Sequence, residues 1–203
     1  MNDAYTARLQ QQMQFVFELD RLKSVLRQTT LADASRQEND AEHSWHLAMM
    51  ALLLAEYAPQ PLDLQRATAM ALVHDIIEID AGDSFCYDAE AMRTKAAREA
   101  RAATRLYAML PDDQACALRA LWDEFEAGLT NEARYVGALD RLQPLLLNYA
   151  SAGGSWKRHG ITLERVIERC APIGEAAPAL WQYAQELIAD AVNQHFVPAA
   201  HDA

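Results

Sequence analysis

Apolar residues recur along this chain at intervals of three and four, the spacing of helices that pack by one face. Phe15, Leu19, Leu22 and Leu26 set that spacing for a first helix over 4–27. The period is lost in RQTTLADASRQEND (27–40), which reads as a loop, and long loops in compact domains are often functional. Asp40 suits the N-cap of a following helix, AEHSWHLAMMALLLAEYA, which stops before Pro59. Its stretch from Leu47 to Ala55 is apolar all round and predicts a central, buried element. Asp63 can then cap LQRATAMALVHDIIEIDAGD, a mostly apolar helix turning at Gly82.

Downstream the pattern predicts a charged helix from Ala89 to Leu110 with a narrow apolar stripe. Its Arg93, Lys95, Arg98, Arg101 and Arg105, interleaved with acids, read as a solvated face of intrahelical ion pairs. Pro111 and Asp112 open a helix to about Phe125, ended by Gly128, and Thr130 caps NEARYVGALDRLQPLLLNYA. Pro144 is expected to kink that helix just beyond Asp140. Gly153 and Gly154 open a flexible loop in which Lys157, Arg158 and His159 form a solvated tip. Thr162 caps a short helix to Cys170, and Pro178 starts a terminal helix through Phe196, with a frayed tail beyond. Valine, isoleucine and threonine alternate too rarely to build a sheet. The expectation is one all-α domain over 1–203.

Composition agrees, with alanine and leucine dominant and only seven glycines and seven prolines in 203 residues. A formal net charge of −11 argues against nucleic-acid binding, because phosphate backbones attract basic surfaces. It leaves room for a small phosphorylated substrate met by two or three local cations. Cys86, Cys116 and Cys170 are isolated and odd in number, and read as reduced thiols. No uncharged run approaches the roughly 20 residues of a membrane span, and the N-terminal segment does not read as a signal peptide. The expected location is the cytoplasm.

The anomaly is chemical. His74, Asp75, Glu78, Asp80 and Asp83 crowd into ten positions of an otherwise apolar run. Burying an unpaired charge costs several kcal/mol, so such groups are paired or bind a metal. In a helix His74, Asp75 and Glu78 would project from adjacent positions, either to hold a divalent cation or to end the helix with ion pairs. His43 stands in the first turn of its helix, where a structural histidine is the ordinary case. Asp140 sits on a core-like run, where Arg141 or a distant cation could pair it. Arg27 and Arg36 are candidate anion binders in the loop over 27–40.

Taken together, His43, the dipeptide His74-Asp75 and Asp140 occur in the order H…HD…D, which resembles the HD-domain phosphohydrolase superfamily. ENDAEHSWHLAMMALLLAEYA resembles the family's EHSW-type helix, and ALVHDIIEIDAGD its LVHD-x-x-E-x-x-x-GD segment. The likeness covers about residues 14–150, leaving C-terminal helices at 162–196, and is nearest to the compact subgroup that includes the 5′-deoxynucleotidases. The resemblance implies a helical HD fold in which His43, His74, Asp75 and Asp140 hold one divalent cation. Mixed nitrogen and oxygen ligation suits Mn²⁺, Co²⁺, Fe²⁺, Ni²⁺ or Zn²⁺, with Mg²⁺ a further candidate. It also implies that Glu78 is a general base or water-orienting group, and that Asp83 donates a proton or contacts substrate. Asp80 falls outside the matched pattern and is left structural.

One departure stands out. The deoxynucleotidase group carries an Arg-Trp pair ahead of the first ligand, and this chain has Arg27-Gln28 there. The phosphate contact can persist through Arg27, aided by Arg36, while selectivity for deoxyribose loses its support. The implied activity is hydrolysis of nucleoside 5′-monophosphates or similar small phosphates. The alternatives are another nucleotide phosphoester or pyrophosphate, or a helical regulatory module without catalysis. The implied partners are a small phosphorylated metabolite and a second copy of the chain in a homodimer, with no nucleic acid and no membrane.

Overall fold

The computed structural model describes residues 3–197, and side chains from residue 6 onward. Eleven α-helices and one small hairpin make up the described residues. Helix α1 (Asp3–Leu19) runs into a 3-10 turn (Asp20–Ser24), so the expected first helix is shorter than 4–27. The stretch read as a loop instead folds into two antiparallel strands, β1 (Leu26–Thr30) and β2 (Gln37–Asn39). Leu26 pairs with Asn39 and Thr30 with Gln37, with a register irregularity between the two pairs. The turn is tied by Leu31 N–H donating to the Arg36 carbonyl (3.0 Å) and by the Asp33 carboxylate accepting from Ser35 N–H (2.9 Å). Backbone pairing over so few residues leaves little alternation to read.

Helix α2 (Asp40–Leu53) follows the hairpin directly. Its cap is Asn39, not Asp40: the Asn39 side chain accepts from Glu42 N–H, and Glu42 reaches back to Asn39 N–H, a capping box. Asp40 thereby becomes the first helical residue and turns into the protein, fully buried. The expectation that the stretch from Leu47 to Ala55 is buried fails at Leu53, 71% exposed, and at Met49 and Leu52. Its inward stripe of His43, Leu47, Met50 and Ala51 is the buried one.

Helix α3 (Leu64–Val73) is capped by Asp63, whose side chain accepts from Arg66 N–H. The anticipated single helix to Asp83 breaks after Val73. Ile76 N–H bonds back to Val73 and Glu78 N–H to Asp75, tighter three-residue steps, before α4 (Glu78–Ala81) ends at Gly82 with φ +73°.

Helices α5 (Ala89–Tyr107), α6 (Asp112–Ala127) and α7 (Asn131–Ala150) follow, with Asp88 and Thr130 as side-chain caps and Gly128 as the left-handed C-cap of α6. The stretch expected as a flexible loop is helix α8 (Gly154–His159), entered through Gly153 at φ +99°. A Cβ on Gly153 would stand 2.2 Å from the Phe196 carbonyl oxygen, so this close turn admits only glycine. Helices α9 (Leu163–Cys170), α10 (Ile173–Ala176) and α11 (Pro178–Asn193) complete the fold, with Pro178 at the first position of α11. The tail expected to fray lies outside the described residues beyond Val197, which is itself buried.

One contiguous core joins α2, α3, α7 and the C-terminal helices through Leu47, Met70, Leu139, Leu142 and Ile173, all essentially inaccessible. The Tyr135 hydroxyl donates to the Ala51 carbonyl at 3.0 Å, tying α7 to α2 within that core. No described helix is long and apolar enough to cross a membrane.

The basic residues of α5 depart from the solvated-face reading. Lys95 pairs with Glu99 along the helix at 2.7 Å, but Arg98 reaches the Ala81 carbonyl and donates to Ser84 Oγ at 2.7 Å. Arg105 joins Asp80 and Glu18, bracing the end of α4. Likewise Arg158 and His159 clasp β1, through the Gln28 carbonyl and side chain, instead of standing free.

Candidate metal centre

Three core helices deliver the key side chains to one point. His43 comes from the first turn of α2, Asp140 from the middle of α7, and His74 and Asp75 from the break after α3. Successive residues of a regular helix point about 100° apart, and the tight turn after Val73 lets His74 and Asp75 serve one centre. His43 Nε2 lies 3.2 Å from Asp140 Oδ1 and 3.8 Å from Asp75 Oδ2. His74 Nε2 lies 3.1 Å from Asp75 Oδ1 and 3.9 Å from Asp140 Oδ1. The sequence-nominated quartet therefore converges.

Each imidazole is held by its other nitrogen. His74 Nδ1 is 2.9 Å from the Ala71 carbonyl, an acceptor only, so Nδ1 carries the proton. His43 Nδ1 is 3.1 Å from Gln143 Oε1, and the Gln143 amide donates to Glu38 Oε1 at 2.6 Å, which fixes the amide's orientation. Both rings then direct Nε2 at carboxylate oxygens, His43 Nε2 within hydrogen-bonding distance of Asp140. His74 Nε2 is buried and has no hydrogen-bond partner among the described residues. Two imidazole nitrogens and two carboxylates meeting in a buried site are suited to a cation between them, and the orienting partners match those of metal-bound histidines. Ligand atoms of His43, His74 and Asp75 all lie within 4.8 Å of one another, a donor set that fits a divalent cation, with Asp140 3.2 Å from His43.

The electrostatics divide the acids into two groups. Burial works against ionisation of Asp140, yet His43 and Arg169 hold its carboxyl well below the usual range. Asp75 is lowered against the same burial by His74 and Arg27. Burial raises Glu78 well above the usual range, reinforced by Asp75, Asp40 and Asp83. Burial likewise pushes Glu38 and Asp40 each to about 7. His43 is lowered by burial and Arg27, whereas His74 is raised because Asp75 outweighs its burial.

Arg27 is the hub of this acid cluster, with Asp75 at 3.0 Å, Asp40 at 3.4 Å and Glu38 at 3.6 Å. Arg36 stays apart, exposed and paired in fork geometry with Glu42 at 2.6 and 2.8 Å. It is not among the residues that line the cleft. Glu78 and Asp83 both line the cleft, of about 420 Å³, that opens over His74, Asp75 and Asp140. Asp140 takes its ion pair from Arg169 of α9 at 3.3 Å.

Sequence reasoning missed Glu38, Asp40 and Gln143. Asp40 carried a usable signal, since it precedes His43 by three and Leu47 by seven and so shares their buried stripe. Gln143 precedes Leu147 and follows Leu139 by one turn, an uncharged residue in a core stripe that nothing in one sequence distinguishes.

Known proteins resemble this chain in sequence and fold to different degrees. A crystal structure of a predicted metal-dependent phosphohydrolase from Magnetospirillum magnetotacticum is similar over 94% of this chain and 96% of its own, at 50% identity and a TM-score of 0.90. A conserved hypothetical protein from Pyrococcus furiosus shares the fold at 21% identity and a TM-score of 0.59, over 89% of this chain and 99% of its own. Among curated relatives, 5′-deoxynucleotidase HDDC2 is 31% identical in Xenopus laevis and 30% in Homo sapiens, each over 135 residues and 66% of this chain. The match spans 66% of the frog protein's length and 65% of the human one, just under two thirds. The HD domain family model matches residues 19–181, and the chain belongs to the HD-domain family.

Proposed function

We propose that this chain is a metal-dependent phosphohydrolase that releases phosphate from nucleoside 5′-monophosphates or closely similar small phosphates. One observation carries the reading: two buried imidazoles, each anchored through Nδ1, turn Nε2 toward Asp75 and Asp140. His43, His74, Asp75 and Asp140 would hold one divalent cation, which when bound supplies Lewis acidity and a lowered pKa for water. The relatives named 5′-deoxynucleotidase support a nucleotide substrate.

The other residues divide the remaining work. Glu78, buried among carboxylates on the cleft wall, takes or orients the proton of the attacking water. Asp83, on the cleft wall and also raised by burial, donates a proton to the leaving oxygen or bonds the substrate sugar. Arg27 compensates the acids around it and offers an N–H to a phosphate oxygen. Gln28, in place of tryptophan, bonds His159 at 2.9 Å and presents a polar wall where the sugar would lie.

Metal analysis after purification, followed by phosphate release from a panel of nucleotides with Mn²⁺, Co²⁺, Ni²⁺, Zn²⁺ and Mg²⁺, tests the reading. It expects about one cation per chain and activity that chelation abolishes. Absence of a bound cation together with no phosphate release under any of these metals overturns it.

A further inference from the structure

The wall of the cleft beside Asp140 holds two arginines that the reaction above does not use. Arg141 follows Asp140 on α7, and Arg169 approaches from α9. Both line the cleft, and burial together with the charge of Arg169 lowers the pKa of Arg141. Arg141 makes no ion pair among the described residues. Its one hydrogen bond runs back along its own helix to the Gly137 carbonyl at 2.6 Å. Glycine at that position permits this, since a Cβ there would stand 3.3 Å from the guanidinium. Four of its five N–H donors thus make no hydrogen bond within the described residues. Arg169 spends one N–H on Asp140 at 3.3 Å, with its side chain one-third exposed.

Both guanidiniums line the cleft, and of the two only Arg169 is ion-paired among the described residues, with Asp140. We propose that Arg141 and Arg169 form a second phosphate subsite, so that the preferred substrate carries two phosphate groups. This rests on the hydrolase reading above and sharpens its substrate class. The scissile phosphate lies on the Asp75 side, where Arg27 binds. The second lies on the Asp140 side, where Arg169 binds. Planar forks of N–H donors match phosphate oxygens, which a carboxylate-paired surface arginine does not offer. The second phosphate belongs either to the sugar, as in a nucleoside 3′,5′-bisphosphate, or to the chain, as in a nucleoside 5′-diphosphate.

The test compares phosphate release by the metal-loaded protein from a 5′-monophosphate, the 3′,5′-bisphosphate and the 5′-diphosphate of one nucleoside. One of the two-phosphate compounds is expected to show a KM ~10-fold or more below the monophosphate, the size of a charge-assisted contact. Arg141→Gln should shrink that ratio to about 3-fold or less, and Arg141→Lys should keep part of it. Which compound gains tells whether the second phosphate comes from sugar or chain. Equal KM values across the three compounds in the wild type overturn the proposal, as does an Arg141→Gln change that scales all three alike. Calorimetric titration of inorganic pyrophosphate into the wild type and Arg141→Gln decides the subsite even if no compound is turned over. Binding weakened ~10-fold supports it, and unchanged binding overturns it while the hydrolase reading is judged separately.

Discussion

His43 and Gln143 form a relay at the base of the site: Nδ1 of the ring donates to Oε1 of the amide, whose nitrogen donates to Glu38. The relay fixes which nitrogen of His43 carries its proton and where the other points. Gln143→Leu keeps the volume but removes the hydrogen bonds of His43 Nδ1 and Glu38 Oε1. The expected result is a loss of divalent-cation affinity of ~10- to 100-fold, read in a metal-buffered titration. An unchanged affinity would remove the relay from metal binding.

Glu78→Gln preserves the shape and hydrogen-bonding length of the side chain while removing its basicity. Metal content should stay at the wild-type level, and turnover should fall by ~10²- to 10⁴-fold. Turnover within about 3-fold of wild type would show that the proton goes elsewhere.

The buried acids set a pH dependence whose sign can be worked out for the chelated protein. Glu38 and Asp40 titrate near 7 when folded but near 4 when unfolded, so the folded state holds more protons between those values. Their stabilising contribution is complete below about pH 4 and is lost as pH rises through 7. Asp75 and Asp140, lowered by folding, act oppositely, and their contribution is lost only on acidification below about pH 4. Urea denaturation should therefore find the chelated protein less stable at pH 8 than at pH 5.5. Asp40→Asn should flatten the slope, and a stability that rises from pH 5.5 to 8 contradicts the assignment.

Arg27 compensates three buried carboxylates at once. Arg27→Met should destabilise the chelated protein by roughly 3–5 kcal/mol at pH 8, the cost of leaving buried charges unpaired. The deficit should shrink at pH 5.5, where Glu38 and Asp40 take up protons themselves. A deficit equal at the two pH values points to lost packing in place of lost charge.

Asp80 offers the contrast. It is one corner of a surface cluster with Arg105 and Glu18, away from the cleft. Asp80→Asn should change stability by about 1 kcal/mol or less, and leave kcat and KM unaltered. A large loss of activity would bring Asp80 into the site.

The parts of the site legible in the sequence are those whose chemistry conflicts with their surroundings. His74, Asp75 and Glu78 interrupt an apolar run and cannot be explained as surface. His43 carries no such mark and was legible only through its order with the others. Asp40 looked like a cap because aspartate caps well, yet Asn39 beside it closes a capping box with Glu42 and releases Asp40 to the interior. The hairpin was hidden because strands of five and three residues contain no measurable alternation. Arg169 meets Asp140 across 29 positions, a distance over which one sequence carries no pairing signal.

The cleft's arginines lie inside a molecule with a formal net charge of −11, which gives the approach of substrate an unusual dependence on salt. A phosphorylated molecule is repelled at long range and attracted only once it reaches Arg27, Arg141 and Arg169. Added electrolyte weakens the long-range repulsion first, since the screening length falls to about 10 Å at 0.1 M. The second-order rate constant for substrate capture should then rise with ionic strength before it falls. The acidic exterior acts as a filter, slowing multiply charged anions in dilute buffer and admitting them at cellular salt.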